Sequence, residues 1–261
     1  MKMMTHAICL LSVIPVRETI SHHSEMVTQL LFGELCLIED QYQEWYKIRM
    51  QFDHYEGWVE KKQLCLIGEN IYNQILHQSV KTYVNAPVAF VRSKNGEMPV
   101  CLGSSLPCFE NGRFQIGNDV WTYDGGEDYA CSKQTPERLS FWALKYMHSP
   151  YLWGGRSPFG IDCSGLMQNV FRMCGYALPR DAAQQAELGQ VINMVSEAKP
   201  GDLLFFDNAE GNITHVGLLV ENNQIIHASG EVRMDKIDHY GIFNETTGAY
   251  SHQLRLIKRL I

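Results

Sequence analysis

Tyr151-Leu-Trp-Gly-Gly-Arg-Ser-Pro-Phe-Gly-Ile-Asp-Cys-Ser-Gly165 places one cysteine after a glycine-rich loop and before an apolar run. Gly154, Gly155, Pro158 and Gly160 keep the first part irregular. Leu166, Met167, Val170, Phe171 and Cys174 then recur at the three-four spacing of an amphipathic helix, so Cys163 is expected to be its first residue. A thiol there meets unpaired backbone N–H groups and the positive end of the helix dipole. Both favour thiolate and predict a pKa below the ordinary value of about 8.5. The same N–H groups can hold an oxyanion.

A cysteine nucleophile needs a base within hydrogen-bond reach and a third group to orient that base. Two of the ten histidines fit by position. His215 precedes Val216-Gly217-Leu218-Leu219-Val220 and opens a strand, whereas His227 ends the next one, after Ile225 and Ile226. A hairpin turning at Asn222-Asn223 would set both at the same end of adjacent strands. Either histidine alone would read as a satisfied polar residue at a sheet edge. Which nitrogen of His215 carries the proton is not readable at this level.

The segments Asp162-Cys163-Ser164-Gly165, His215-Val216-Gly217 and Ile226-His227-Ala228-Ser229, in that order, resemble the NlpC-type family of papain-like cell-wall cysteine peptidases over residues 135–261. The resemblance implies Cys163 as nucleophile, His215 as general base and His227 as the third member. Tyr151 stands where the YkfC-like branch, γ-D-glutamyl-L-diamino acid endopeptidases, carries an active-site tyrosine, and is expected to donate to the oxyanion with the Cys163 N–H. Asp162, Ser164 and Asp181 are the expected substrate-side groups, with a helix cap as the plain alternative for Asp162. In that branch an acidic residue and a tyrosine of the first SH3-like domain receive the amine of an N-terminal L-alanine, and Glu25 and Tyr55 are the best matches. A carboxylate partly removed from water would bind an ammonium and reject an acetamide.

Upstream, Ala7 to Val16, Glu34 to Glu39, Trp45 to Arg49 and Gly57 to Val59 read as short strands of a small β-barrel. Phe32-Gly33-Glu34, Trp45-Tyr46-Lys47-Ile48 and Gly57-Trp58-Val59 resemble a bacterial SH3-like domain. Val88 to Val91, Met98 to Leu102, Arg113 to Ile116 and Val120 to Tyr123, around Asn95-Gly96 and Asn111-Gly112 turns, repeat the theme, and Glu69 to His77 reads as a helical linker. From Thr135 the period changes. Thr135 caps a helix with Pro136 in its first turn, Asp181 to Leu188 reads as a further helix, and Gly201 to Phe206, His215 to Val220, Gln224 to Ala228, Val232 to Ile237 and Leu254 to Leu260 read as strands. The expected architecture is multidomain: two small SH3-like β-barrels, 1–70 and 75–128, followed by an α+β papain-like cysteine peptidase domain, 129–261, with helices packed on an antiparallel sheet.

The 261 residues are 45% hydrophobic, enough for real cores, and carry a net charge of −7. That balance, without a Lys/Arg cluster, argues against nucleic acid. No stretch approaches the roughly 18 apolar residues of a membrane span. The eight cysteines form no Cys-x-x-Cys pair and read as thiols in a reducing compartment. A cytoplasmic setting follows. The alternative is export, if Lys2 and the apolar Ala7 to Ile14 form a signal peptide, although no small-x-small cleavage site follows. The expectation is therefore a monomeric enzyme that needs no metal or organic cofactor and hydrolyses the γ-D-glutamyl-diamino acid bond of murein peptides with a free N-terminal L-Ala, in cell-wall peptide recycling. Its rivals are a wall-bound hydrolase or an amidase acting on intact murein, and an inert scaffold.

Overall fold

The computed structural model describes residues 5–125, 129–221 and 223–261. The chain divides into two compact units. The first comprises residues up to Ser132 together with Trp153–Pro158, and the second comprises Lys133–Leu152 and Phe159–Ile261.

The first unit is built of strands. A seven-stranded antiparallel sheet runs in the order Met26–Leu31, Val13–Arg17, Glu56–Glu60, Trp45–Met50, Leu35–Tyr42, Thr5–Ile8, Cys65–Ile67. The single strand expected over Ala7 to Val16 is two strands, Thr5–Ile8 and Val13–Arg17, because a bend at Leu11–Ser12 carries the chain from one side of the sheet to the other. Ile14, Val16, Leu30, Ile48 and Val59 fill one core. A four-stranded sheet of Gly96–Cys101, Val88–Ser93, Asp119–Asp124 and Arg113–Ile116 follows the helix Glu69–Leu76. Asn111 and Gly112, at φ 50° and 78°, make the two-residue turn before Arg113 that the sequence predicts. A second core joins Ile8, Phe32 and Leu35 to Val91, Phe114 and Trp121, so both stretches share apolar burial. Residues 126–128, where the sequence reading ends its second domain, lie outside the described residues, as does Lys2.

The second unit sets helices against one antiparallel sheet. Its strands run Gln190–Ile192, Ala249–Arg259, Leu203–Asp207, Ile213–Leu219, Gln224–Ser229, Glu231–Ile237, Gly241–Asn244. Gly241–Asn244 also pairs with Ala249–Arg259, so the sheet closes on itself. Gly241–Asn244 and Gln190–Ile192 have no counterpart in the sequence reading, and the last strand begins five residues before the expected Leu254. Helix Pro136–Leu144 starts as expected, with Thr135 at its N-cap and Pro136 in its first turn. The helix Cys163–Met173 lies against the strands Ile213–Leu219 and Gln224–Ser229. It departs from the amphipathic expectation, because every one of its residues is buried. Its polar residues are accommodated individually: Gln168 Nε2 donates to the Leu178 carbonyl at 3.1 Å and Asn169 Nδ2 to the Tyr146 hydroxyl at 3.3 Å.

Candidate active site

Cys163 opens its helix because Asp162 stops the chain before it. Asp162 has extended backbone and its Oδ1 accepts the Gly165 N–H at 2.7 Å, a helix N-cap. Buried Arg180 grips the same carboxylate, Nη1 to Oδ1 at 3.0 Å and Nη2 to Oδ2 at 2.5 Å, and Nη1 also donates to Ser164 Oγ at 2.9 Å. Asp162 and Ser164 are thus placed as the frame of the cysteine turn. Asp181 caps the next helix, Ala182–Gln185, in a reciprocal capping box with Gln184. Gln185 Nε2 returns to the Ser164 carbonyl at 3.0 Å.

The loop before the cysteine is explained by the first unit. Gly154 has φ 75°, and a Cβ there would stand 2.1 Å from the Met26 carbonyl oxygen, so only glycine permits the approach. Two residues on, fully buried Arg156 pairs bidentately with Glu34 at 2.9 Å and donates to the Gln29 carbonyl at 2.8 Å. The Trp153 indole N–H donates to Glu25 Oε1. Glu25 is exposed, which corrects the expectation of a carboxylate partly withdrawn from water. Tyr55 lies half-buried against the first core.

Strand register gathers the histidines. Phe206 pairs with His215, Leu204 with Gly217, Gly217 with His227 and Leu219 with Ile225, so all seven side-chain positions share one face. Asn222 of the expected turn lies outside the described residues, and Asn223 has φ 55°. His215 Nε2 lies 2.9 Å from His227 Nδ1, and His227 Nε2 lies 2.9 Å from Asp235 Oδ2. His215 and His227 are 6% and 1% exposed, deep enough for these contacts to escape competition from water. His252, paired in register with Ile242, stacks on His215 at a centroid distance of 4.2 Å.

The cysteine sulfur is tied to the same strand, since the N–H of Val216 and of Ser164 both favour its thiolate. They do not prevail. Burial pushes the Cys163 thiol up to about 12, with the neighbouring Asp162 charge adding to it, against the pull of those N–H groups and of Arg180. The expectation of a lowered pKa fails because a buried ion loses more from leaving water than one helix turn returns. Burial likewise pushes His215 well below the ordinary imidazole range, helped by His252 and His227. Burial and the Cys163 and Asp162 charges raise half-buried Tyr151 to about 12, so its hydroxyl keeps its proton and remains a donor. Its backbone N–H is anchored on the Gly230 carbonyl at 2.9 Å.

Cys163, tied to the N–H of Val216, and His215, the residue before Val216 on the strand, are both held neutral by burial, a pairing of groups suited to acyl transfer once a carbonyl enters. Ring nitrogens of His215, His227 and His252 lie within 4.8 Å of one another, close enough for a metal-ligand set. Both nitrogens of His227 and one of His215 already serve hydrogen bonds, so an ion would have to break the chain of contacts. The sequence reading missed Asp235 and His252. Asp235 stands in a strand that also carries Glu231, Arg233 and Lys236, so its charge alone did not set it apart. His252 precedes its apolar run and offered no signal.

Residues 148–251 match the NlpC/P60 family and residues 16–64 the bacterial dipeptidyl-peptidase Sh3 domain. A gamma-D-glutamyl-L-lysine dipeptidyl-peptidase of Bacillus subtilis (strain 168) is 34% identical over 218 residues, covering 77% of this chain and 71% of that protein. A protein of the same name from Bacillus cereus (strain ATCC 10987 / NRS 248) is 24% identical over 260 residues, covering 88% and 76%. The crystal structure of an NlpC/P60 family protein from Bacillus cereus ATCC 10987 superposes with a TM-score of 0.82 over 97% of this chain and 99% of that one; at 18% identity it speaks for the fold. Among the described residues no helix is long and apolar enough to cross a membrane. Similarity at 34% identity over 77% of this chain to a peptidase, together with a cysteine turn and a histidine pair in the order of the family's motifs, means that the chain belongs to the NlpC/P60 family of cysteine peptidases and carries a bacterial dipeptidyl-peptidase SH3 domain.

Proposed function

We propose that the chain hydrolyses the γ-D-glutamyl-diamino acid bond of murein peptides that begin with a free L-alanine, as a recycling enzyme acting in the cytoplasm as a monomer. The observation that carries this reading is the buried sequence of contacts from His215 through His227 to Asp235, on the strand whose Val216 N–H favours the Cys163 thiolate, in a chain 34% identical to a γ-D-glutamyl-L-lysine dipeptidyl-peptidase. Two SH3-like barrels ahead of a papain-like domain are the domain arrangement that accompanies it.

In this mechanism the Cys163 S–H bond breaks as sulfur attacks the γ-carbonyl carbon, and the proton passes to His215. The carbonyl π pair moves to oxygen, where the Cys163 N–H and the Tyr151 hydroxyl donate. Collapse of that oxyanion breaks the C–N bond, and His215 returns its proton to the leaving amine. Water, deprotonated by His215, then attacks the thioester carbonyl; the C–S bond breaks, and the proton on His215 returns to the Cys163 sulfur. Asp162 and Ser164 hold the cysteine turn, and Asp181 lines the peptide's path. Glu25 and Tyr55 take the ammonium of the L-alanine. The Trp153 indole holds the exposed Glu25 carboxylate from one side, so its preference for an ammonium rests on charge pairing and not on withdrawal from water.

The test is mass spectrometry of products from an L-Ala-γ-D-Glu-diamino acid peptide and its N-acetyl derivative. Cleavage at the γ bond, much faster with the free amine, is expected, and Glu25→Gln should erase the difference. Cleavage elsewhere, or equal rates on both peptides, would overturn the reading. Cys163→Ala should lower turnover by on the order of a thousandfold or more, His215→Ala nearly as much, and His227→Asn less, because an amide can still orient the base.

A further inference from the structure

We propose that Asp235 is the positioning residue that sets which nitrogen of His215 carries the proton, acting through His227. The proposal rests on the reading of His215 as the base. Asp235 lies on the strand Glu231–Ile237, opposite Ile225, and its neighbour two positions back, Arg233, lies opposite His227. By register all four share the face that carries His215.

Asp235 is 6% exposed. Its Oδ1 accepts Arg233 Nη2 at 2.9 Å, and its Oδ2 faces His227 Nε2 at 2.9 Å and Arg233 Nε at 2.8 Å. Burial pushes the Asp235 carboxyl up, but the hydrogen bonds and charges of His227 and Arg233 outweigh it and leave the pKa below the usual carboxylate value. An ionised carboxylate can only accept. The proton shared with it therefore sits on His227 Nε2, which in a neutral ring leaves a lone pair on Nδ1. That lone pair, 2.9 Å from His215 Nε2, requires His215 to donate from Nε2. His215 Nδ1 is then bare, and it is the nitrogen that takes the thiol proton. Asp235 itself receives no proton during turnover; it remains an acceptor while His215 is charged.

Asparagine at this position reverses the chain. Arg233 Nη2 makes its hydrogen bond to the Oδ1 position, whereas its Nε lies 2.8 Å from Oδ2 without forming one, so the amide oxygen takes the hydrogen-bonded position and the NH2 turns toward His227 Nε2. His227 must then accept at Nε2 and carry its proton on Nδ1, and His215 must accept at Nε2 and carry its proton on Nδ1. The base is present but occupied.

The experiment is two-bond 1H–15N correlation of the histidine rings at neutral pH in the whole protein, with His215 and His227 assigned by their loss in His215→Gln and His227→Gln. Wild type should show both protonated at Nε2, and Asp235→Asn should show both protonated at Nδ1. The same variant should lose about a hundredfold or more in kcat with KM little changed, the direction seen when a triad aspartate is amidated elsewhere. A wild-type His215 protonated at Nδ1, or an Asp235→Asn enzyme within about twofold of wild-type kcat, would overturn the proposal. The wild-type spectrum decides the matter even if the variant does not fold. The ring assignments also need no substrate, so a wrong peptide would appear as an inactive wild type and leave them untouched.

Discussion

The reactivity of Cys163 is set by two opposing effects at one residue, and burial is the larger. The N-cap, the helix start and the adjacent N–H groups were all legible in Asp162-Cys163-Ser164-Gly165, because capping is local chemistry. The desolvation was not legible, since it depends on a strand some fifty residues downstream closing over the sulfur. With the thiol raised to about 12 and His215 depressed, the resting pair is uncharged, and thiolate forms only as the proton moves during attack. The difference in ultraviolet thiolate absorbance between wild type and Cys163→Ala should therefore be absent at about pH 7 and emerge only well above the ordinary thiol range near 8.5. A thiolate band already present at neutral pH would mean a resting ion pair. The other cysteines do not confuse the measurement: among the described residues all eight carry thiols, and the seven besides Cys163 are unchanged in the variant.

At the level of elements, the hairpin that carries the two histidines depends on a residue with no side chain. Gly217 faces His227 across the strand pair, and a Cβ there would come within 2.6 Å of Ile225 Cδ1 and 3.0 Å of the His227 Cβ. The glycine of His215-Val216-Gly217 is thus required by space, its φ being ordinary for a strand. Gly217→Ala should destabilise the protein by about 1–3 kcal/mol, the range for overpacking a filled interior, and should lower kcat further than that loss explains by pushing His227 off His215. Urea midpoints alongside kcat check this, and an alanine enzyme with wild-type values for both would show that the sheet yields freely at this point. The hairpin was visible in the sequence because apolar alternation and turn residues are short-range signals. Asp235 was not assigned, because its role exists only once Glu231–Ile237 is paired with Gln224–Ser229, and a carboxylate on a strand is otherwise an exposed group. The cysteine helix shows the converse error: its three-four spacing predicted one buried face, yet the protein packs every side, and Arg172 is only 7% exposed.

Across the whole molecule, ionisable groups buried in neutral form fix the pH range of stability, and they are distributed unequally between the two units. His215 and His252, the latter pushed down to about 4 chiefly by burial, belong to the second unit. Unfolding lets both take up protons near about 6.5, so below that pH the unfolded chain binds more protons than the folded one and stability falls as pH drops, for His252 down to about 4. Buried thiols act at the other end. Burial raises Cys36 to about 12 and Cys101 to about 11 in the first unit, and Cys163 to about 12 in the second. Above about 8.5 the unfolded chain gives up thiol protons that the folded one keeps, so stability falls as pH rises toward those values. Stability should therefore be greatest between about 6.5 and 8.5, with an alkaline limb reaching both units and an acid limb, between 6.5 and 4, set by the histidines of the second. Urea unfolding across this range, followed by the ring signals of His215 and His252 for the second unit and by thiol accessibility of Cys36 and Cys101 for the first, separates the two limbs. If the second unit keeps its urea midpoint from pH 7 down to about 4, its histidines are not held neutral by burial, and the uncharged resting pair at Cys163 loses its basis as well.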